Sequence, residues 1–239
     1  MASRRLARMS TPSSLPEHPL AEQFRAFVRD PAFPCVGAKS ALGKGTLRIA
    51  VARDIRSSWD DLRIHGMLMD LARSYAATPT LFQSLVILFE TEATLDEATY
   101  ERHLWARVQS LSDKDEWLGQ LTDDRVSSDP ADPHFSLSFG GEAFFVVGLH
   151  PAASRPARRF AVPAMVFNLH DQFEQLREQG RYDKLRGSIL DRDLALAGTM
   201  NPMLAQHGTV SEARQYSGRV VGADWQCPFA GRGSHRHVA

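Results

Sequence analysis

The residues best suited to chemistry lie together in the segment GLHPAASRPARR at 148–159. It holds one histidine, His150, and three arginines, Arg155, Arg158 and Arg159. Guanidinium groups bind carboxylates and phosphates through paired hydrogen bonds, and a histidine at the end of a strand can act as a general base or a metal ligand. The pattern is compatible with an anion-binding site and, equally, with a solvated loop that carries a structural histidine.

A second histidine lies four residues before a glutamate, in NLHDQFE at 168–174. Because residues four apart share one face of a helix, His170 and Glu174 could hold a metal ion or form an ordinary ion pair. The ion pair is the simpler interpretation, since the HExxH spacing of zinc proteases is absent. A metal-dependent hydrolase built on His150, His170 and Glu174 is the weakest hypothesis that these residues permit.

The two cysteines lie in mirror-image triplets, FPC at 33–35 and CPF at 227–229. Cys35 and Cys227 could each be a small buried apolar residue. Alternatively, the two thiols meet in the folded chain and serve a binding site or a redox step. Two cysteines are too few for a disulfide scaffold or an all-cysteine zinc site.

Composition and charge exclude several classes of protein. The chain has 239 residues, with 28 Lys and Arg balanced by 28 Asp and Glu, whereas proteins that bind nucleic acid through its phosphates have a basic excess. The longest apolar runs are far shorter than the roughly 20 residues of a membrane-spanning helix, and the basic N-terminus lacks the apolar stretch of a secretory signal. We therefore expect a cytoplasmic protein with reduced thiols and neither a nucleic-acid nor a membrane partner.

Hydrophobic periodicity predicts the elements that must position these residues. Helical spacing indicates four helices, at about 18–30, about 54–75, from Leu95 onward, and from a cap at Asn168 to about Ala197 with a break near Gly180. Runs rich in β-formers indicate five strands, at 46–52, 84–89, 135–139, 142–149 and 164–167. Gly140-Gly141 is typical of a hairpin turn between the third and fourth strands.

These elements indicate an α+β fold, in which helices pack on a mixed β-sheet of about five strands with a central hairpin. We expect a single domain over 18–230. The segment 1–17, rich in Ser, Arg and Pro, is predicted to be a disordered arm, and 231–239 a flexible tail. Residues 33–40, which include Cys35, are predicted to form a loop.

Several motifs, taken together, resemble the YqcI/YcgG family, also described as FPC/CPF-motif proteins. In chain order they are FPCVGAKSAL at 33–42, FSLSFGGEAFFVVGLHPAASRPARRF at 135–160, VFNLHDQFEQLR at 166–177, EARQYSGR at 212–219 and DWQCPF at 224–229. The resemblance covers about residues 20–230. It implies a haem protein, because characterised relatives are haem-dependent N-hydroxylases that oxidise guanidine nitrogens of arginine or arginine-like molecules.

The resemblance implies roles for the residues singled out above. An axial ligand to haem iron is expected from His150, with the Cys35 thiolate or His170 as alternatives. Arginines suit the two propionates, and apolar residues suit the walls of the haem slot. These sets are Arg155, Arg158 and Arg159 for the propionates, and Phe144, Phe145, Val147 and Phe167 for the walls.

A cationic guanidinium substrate needs a carboxylate partner, which Glu174 or Glu212 could supply. The α-carboxylate of an amino-acid substrate would pair with Arg214 or Arg219. His170 and Glu174 are the predicted catalytic residues beside the haem.

The expected function is N-hydroxylation of a guanidine or amine by haem b, with O₂ or peroxide as oxidant. No flavin or nicotinamide fingerprint is present, so electrons would come from an external reductase or from peroxide. The protein could act as a homodimer. Two alternatives remain open: a non-catalytic haem-binding or haem-sensing protein, and a haem-free thiol redox protein that uses Cys35 and Cys227.

Overall fold

The computed structural model describes residues 18–203 and 209–232. The predicted arm, 1–17, and residues 233–239 of the predicted tail lie outside these ranges. Within them, the prediction of a single α+β domain is confirmed, because helices cover both faces of one five-stranded mixed sheet.

The five predicted strands are present in this sheet. They are β1 Leu47–Ala52, β2 Ser84–Phe89, β3 Leu137–Phe139, β4 Glu142–Leu149 and β5 Ala164–Leu169. Their order in space is β1-β2-β5-β4-β3, in which only the β1 and β2 pair is parallel. The β3–β4 hairpin therefore forms one edge of the sheet and not its centre, because β5 inserts between β2 and β4.

Glycine chemistry explains the tight turn of this hairpin. Gly140 and Gly141 have φ angles of 60° and 82°, and a two-residue hairpin turn of this kind needs left-handed backbone at both positions. Residues with a Cβ adopt that conformation at a cost, so the Gly-Gly pair correctly predicts both the turn and the antiparallel pairing that follows from it.

The described part of the chain contains seven α-helices. They are α1 Pro19–Arg29, α2 Val36–Lys44, α3 Asp61–Ala77, α4 Glu97–Trp117, α5 Asp171–Glu178, α6 Tyr182–Ala197 and α7 Ala213–Tyr216. The predicted break near Gly180 is confirmed, since Gly180 has a φ of 65° between α5 and α6. None of the described helices is both long and apolar enough to span a bilayer.

Two local predictions are wrong. Residues 36–40 begin helix α2 and not a loop, because the Cys35 sulfur caps the helix and Gly45 ends it in a left-handed conformation. Asn168 does not cap a helix but lies within β5, where its side-chain oxygen accepts a hydrogen bond from the Ser84 hydroxyl. The helix that follows starts after His170.

Strand alternation sends the side chains of each strand to opposite faces of the sheet. Phe144 and Phe167 belong to the larger core beneath α3 and α4. On the opposite face, Val147 and Val166 pack beside the smaller core formed with α1 and α2. The four predicted slot-wall residues are therefore divided between the faces, with Phe144 and Phe167 in the larger core and Phe145 and Val147 on the opposite face.

A buried polar network ties α3, α4 and the hairpin together. The Asp115 carboxylate is fully buried, its Oδ1 lies 2.7 Å from Nε2 of His65, and it accepts from the Gly140 N–H at 3.1 Å. The Arg232 guanidinium binds the same carboxylate and also donates to the backbone oxygens of Gln120 and Ser138. We call these four residues the Asp115 network: Asp115, His65, Gly140 and Arg232.

Gly148 of β4 lies under α4 at a contact that leaves no room for a side chain. A Cβ there would be 2.5 Å from Tyr100 Oη and 2.8 Å from Leu104 Cδ1. Tyr100 cannot simply retreat, because its hydroxyl donates to the Ala164 carbonyl at 2.7 Å. We expect Gly148→Ala to lower the free energy of unfolding by about 1–3 kcal/mol, the usual cost of overpacking.

Denaturant unfolding followed by circular dichroism measures this effect. The matched control is Gly66→Ala in α3, where a Cβ meets no atom within 4 Å and helix propensity favours alanine. Equal unfolding midpoints for wild type and Gly148→Ala would contradict the packing described here.

Candidate functional site

A cavity of about 240 Å³ lies on the sheet face opposite α3 and α4. Its floor is formed by side chains of β2, β4 and β5, and its walls come from α2, α5, α6 and the segment 210–215. We call it the α6 cavity. The lining side chains used below are Cys35, Phe82, Ser84, Phe145, Val147, Asn168, Phe173, Arg177, Leu185, Arg186, Ile189, Leu190 and Glu212.

Helix α6 covers this cavity and is weakly anchored. Its apolar residues Leu185, Ile189 and Leu190 line the cavity and are only half-buried. Asp193, its one fully buried residue, pairs with Arg155. Arg192 of the same helix donates to the Pro31 and Phe33 carbonyls, so polar contacts at one end hold α6, and few buried apolar contacts support the rest of it.

Cys35 brings a thiol to one end of the cavity. Its sulfur accepts a hydrogen bond from the Ala38 N–H at 3.4 Å at the start of α2. Burial raises the pKa of the Cys35 thiol, and the N–H groups of Ala38 and Gly37 and the charge of Arg158 act in the opposite direction. The thiol is therefore protonated at neutral pH in the free protein, although coordination to a metal would deprotonate it.

Three predicted site residues meet beside the cavity. Nε2 of His170 lies 3.7 Å from Oε1 of Glu212, and Nδ1 of the same ring lies 3.9 Å from Oε1 of Glu174. Glu212 lines the α6 cavity, whereas Glu174 lines a second cavity of about 230 Å³ that also borders His170. The imidazole thus separates two cavities, with a carboxylate on each side.

The second cavity is strongly polar. Arg125 donates to the carboxylates of Asp123 at 2.7 Å, Glu142 at 2.8 Å and Asp171 at 3.0 Å. The hydrogen bonds from Arg125 to Asp123 lower the pKa of that carboxyl against the effect of burial, whereas burial raises the pKa of Glu142. A cluster of three carboxylates around one guanidinium therefore lies next to His170.

His150 lies away from both cavities. Its ring stacks on Tyr100 with centroids 4.4 Å apart and is 1 % exposed. Strand alternation explains the position, because His150 follows β4 with the same parity as Phe144, on the face covered by α4. Burial lowers the pKa of His150, and the stacked Tyr100 ring covers one face of the imidazole.

The three neighbouring arginines are engaged by the protein itself. Arg155 binds Asp193 and the Thr199 carbonyl. Arg158 donates to the carbonyls of Gly148, Gln215 and Tyr216, and Arg159 to those of Ala153 and Ser154. Because each guanidinium has its own protein partners, the structure does not bring the three together around one ligand.

The predicted substrate arginines also have structural partners. Arg219 pairs with Glu101, with its Nε 2.8 Å from Oε2. Arg214 donates to the Gly222 carbonyl and lies over the Trp225 ring. Neither lines the α6 cavity as the described residues define it, whereas Arg177 and Arg186 do.

The two cysteines have different neighbours. Cys227 packs against the large core with Trp225, and Cys35 lines the α6 cavity on the other face of the sheet. Both are free thiols. Burial raises the pKa of Cys227 to about 12. A direct thiol pair is therefore not formed in this structure.

Metal chemistry without haem has little support in the described residues. They contain no group of three or more His, Cys, Asp or Glu side chains placed to hold an ion. His150, the proposed third ligand of a hydrolase, is stacked on Tyr100, apart from His170 and Glu174.

The α6 cavity has the donors that a haem needs but is narrow. It offers the Cys35 thiol, aromatic and aliphatic walls, and the guanidinium groups of Arg177 and Arg186. Its volume of about 240 Å³ lies just below the roughly 300–1,000 Å³ of pockets for drug-sized molecules, and haem is larger than these. Haem binding here therefore requires α6 to move outwards.

Sequence reasoning missed several residues of this cavity. Residues of α6 were predicted only as a helix, and Phe82, Ser84 and Asn168 were assigned no site role. One signal was present: Ser84 and Asn168 are polar residues in strands that are otherwise apolar, and buried polar residues need a reason. No local sequence pattern indicates which helices cover that face of the sheet.

Comparison with known protein families matches residues 24–230 to the YqcI/YcgG family. No curated protein and no solved structure matches the chain. The matched range contains both cysteine triplets and all the residues placed above around the α6 cavity. Because the match covers far more than half of the 239 residues, the chain belongs to the YqcI/YcgG family.

Proposed function

We propose that the protein is a haem-dependent N-hydroxylase that oxidises a guanidine or amine nitrogen in the α6 cavity. The observation that carries the proposal is the cavity lining, which combines the Cys35 thiol, apolar walls and the carboxylate of Glu212. One cavity thus contains a soft ligand for iron, an apolar surface for a macrocycle and an anion for a cationic nitrogen.

Cys35 and not His150 would hold the haem iron in this cavity. When bound, haem supplies the oxygen-activating chemistry, and a thiolate ligand favours O–O cleavage. Phe145, Val147 and Leu190 would exclude water from the macrocycle. Arg186 would face its propionates in place of the arginines at 155–159. Arg177 would join it on leaving its ion pair with Glu174 and its contact with the Tyr182 ring.

Glu212 would bind the positive charge of the substrate, and His170 would exchange protons with Glu212. The Glu212 carboxylate would bind a guanidinium or ammonium group. Because a buried charge without a partner is strongly unfavourable, the two groups would stabilise each other. Oxygen inserts into an N–H bond without net loss of a proton, whereas the reaction with O₂ consumes two protons. His170, which lies between Glu212 and Glu174, would relay protons between the second cavity and the substrate.

The oxidation needs co-reactants that the protein itself does not carry. With O₂, two electrons and two protons are consumed; one oxygen atom is added to the nitrogen and the other leaves as water. With peroxide, one oxygen atom is transferred and water leaves without added electrons. An external reductase is the proposed partner in the reaction with O₂. The proposed location is the cytoplasm, whose reducing conditions keep thiols such as Cys35 and Cys227 free.

Absorption spectroscopy tests the proposal. Protein purified from haem-supplemented cells should show a Soret band, and its reduced carbon-monoxide complex should absorb at the longer wavelength typical of thiolate ligation. L-Arginine incubated with the protein and either O₂ with a reductant or peroxide should gain one oxygen atom by mass. Absence of a Soret band after such supplementation would refute the function.

Glu212→Gln should weaken recognition of the cationic group while preserving the shape of the side chain. Loss of one partner of a buried charge pair costs about 2–5 kcal/mol, so binding should weaken by about 30-fold to several thousand-fold. Titration of L-arginine or guanidine against the Soret band measures it, and the exposed Glu178 of α5 supplies the control, Glu178→Gln. Equal affinity for Glu212→Gln and wild type would remove Glu212 from the site.

A further inference from the structure

Phe82 adopts a backbone conformation that bulky residues avoid. Its φ of 69° lies in the left-handed region, and no other non-glycine residue in the described ranges has a positive φ. Such a conformation persists only where surrounding contacts enforce it, and it is concentrated at functional sites. Phe82 precedes β2 and lines the α6 cavity.

Side chains from two other elements hold this backbone in place. The buried Gln172 of α5 accepts, at Oε1, from the N–H groups of Phe82 at 2.8 Å and Gln83 at 3.0 Å, and its Nε2 donates to the Gln83 carbonyl at 3.2 Å. The Thr46 hydroxyl donates to the Phe82 carbonyl at 2.6 Å. Gln172 therefore satisfies both backbone N–H groups that the left-handed turn would leave unpaired.

The Phe82 ring and the Cys35 thiol both border Gly37. A Cβ placed there would be 3.7 Å from Phe82 Cδ1 and 3.8 Å from the Cys35 sulfur. Lys44 Nζ lies 5.0 Å from the centre of the ring, a cation–π contact that further fixes its orientation. The ring thus forms the wall of the cavity beside Cys35.

We propose that Phe82 is a positioning residue that shields the Cys35 thiol, and that Gln172 holds the shield in place. The strained backbone keeps the ring over one side of the sulfur, so that the thiol is reached only from the side covered by α6. The shield keeps water away from the sulfur and restricts its reaction with external electrophiles. The inference rests on the proposed function only in that both concern the same thiol.

Alkylation by iodoacetamide, without haem, tests the shield. The carbon–iodine bond breaks, the sulfur bonds to the methylene carbon, and iodide and the thiol proton leave. Peptide mass spectrometry gives separate rates for Cys35 and Cys227 in the same sample. Phe82→Ala should raise the Cys35 rate by about tenfold or more, as expected when one wall group of a pocket is lost, with the Cys227 rate unchanged.

Three further variants separate the effect of the Phe82 ring from that of the strained Phe82 backbone and from that of its positioning by Gln172. Phe82→Gly relieves the strain but also lacks the ring, so its Cys35 rate should equal that of Phe82→Ala. Gln172→Leu should raise the Cys35 rate although Phe82 is retained. Gln175→Leu, on the same helix but bonded to Tyr75 and Asp171, is the control and should leave the Cys35 rate unchanged.

An unchanged Cys35 rate in Phe82→Ala, or equal rises at Cys35 and Cys227, would overturn the proposal. Where Phe82→Ala does not fold, Phe82→Leu replaces it, with a smaller rise at Cys35 expected and the same criterion for failure. An unchanged rate in Gln172→Leu would overturn its positioning role. Because the assay contains no haem, a protein that fails to bind haem can still confirm the shield, and the reverse also holds.

Discussion

Replacement of Cys35 by alanine is expected to abolish haem binding. Because loss of an outer-shell partner alone weakens metal binding by about 10–100-fold, loss of the proposed ligand should weaken it by more than about 100-fold. Cys35→Ser gives the same expected loss but keeps an oxygen that caps α2 well. Equal loss of haem binding in the two variants would show that the loss comes from the missing iron ligand and not from misfolding of α2. Soret absorbance per protein, after reconstitution with a fixed amount of haem, is the measurement.

Two controls define the other outcomes. Cys227→Ala removes the second thiol, which packs with Trp225 outside the cavity, and should load haem as wild type does. His150→Ala should retain the position of the Soret band, because the imidazole is stacked on Tyr100. Full haem loading by Cys35→Ser, or loss of the band only in the His150 variant, would return the ligand to His150 and remove the α6 cavity as the haem site.

Asp115→Ala is expected to lower the free energy of unfolding by about 3 kcal/mol, because it breaks a buried, charge-assisted network. The variant leaves His65 and the Gly140 N–H without the acceptor they share, and Arg232 without its carboxylate. Leaving buried polar groups unsatisfied costs more than the net value of the bonds. Chemical unfolding monitored by tryptophan fluorescence measures the change.

The control for this prediction lies two residues away on the same helix. Asp113 is exposed, so Asp113→Ala should change stability by less than about 0.5 kcal/mol. Arg232→Met should be destabilising in the same direction as Asp115→Ala, and the double variant should cost less than the sum of the two. Full additivity would show that the two residues do not act as one network.

Patterns of local sequence predicted most of the fold. The apolar run SLVILF at 84–89 predicted β2, and every residue of this strand is buried. Gly140-Gly141 predicted the hairpin through its backbone freedom. Helix α2 was missed because its signals are unusual ones: a cysteine sulfur as the cap, and only Ala41 fully buried. Pairings between distant strands, such as β2 with β5, depend on packing that no short window contains.

The candidate site was predicted only in part. His170, Glu174 and Glu212 were predicted as site residues, and the structure brings them together. Strand parity alone already assigns His150 to the face of Phe144 and away from Val147, and its role as a haem ligand stays a prediction. The strained Phe82 and its partner Gln172 are 90 residues apart, a contact that only the folded chain reveals.

The Asp115 network also has a consequence for the order of events during protein synthesis. Arg232 lies 117 residues after Asp115. The ribosome therefore synthesises α3, α4 and the hairpin long before it adds the arginine that pairs with the buried Asp115 carboxylate. Until then the buried Asp115 lacks one of its hydrogen-bonding partners. Nascent chains stalled before residue 232 should therefore be more sensitive to protease than full-length chains stalled on a C-terminal extension long enough for Arg232 to clear the exit tunnel.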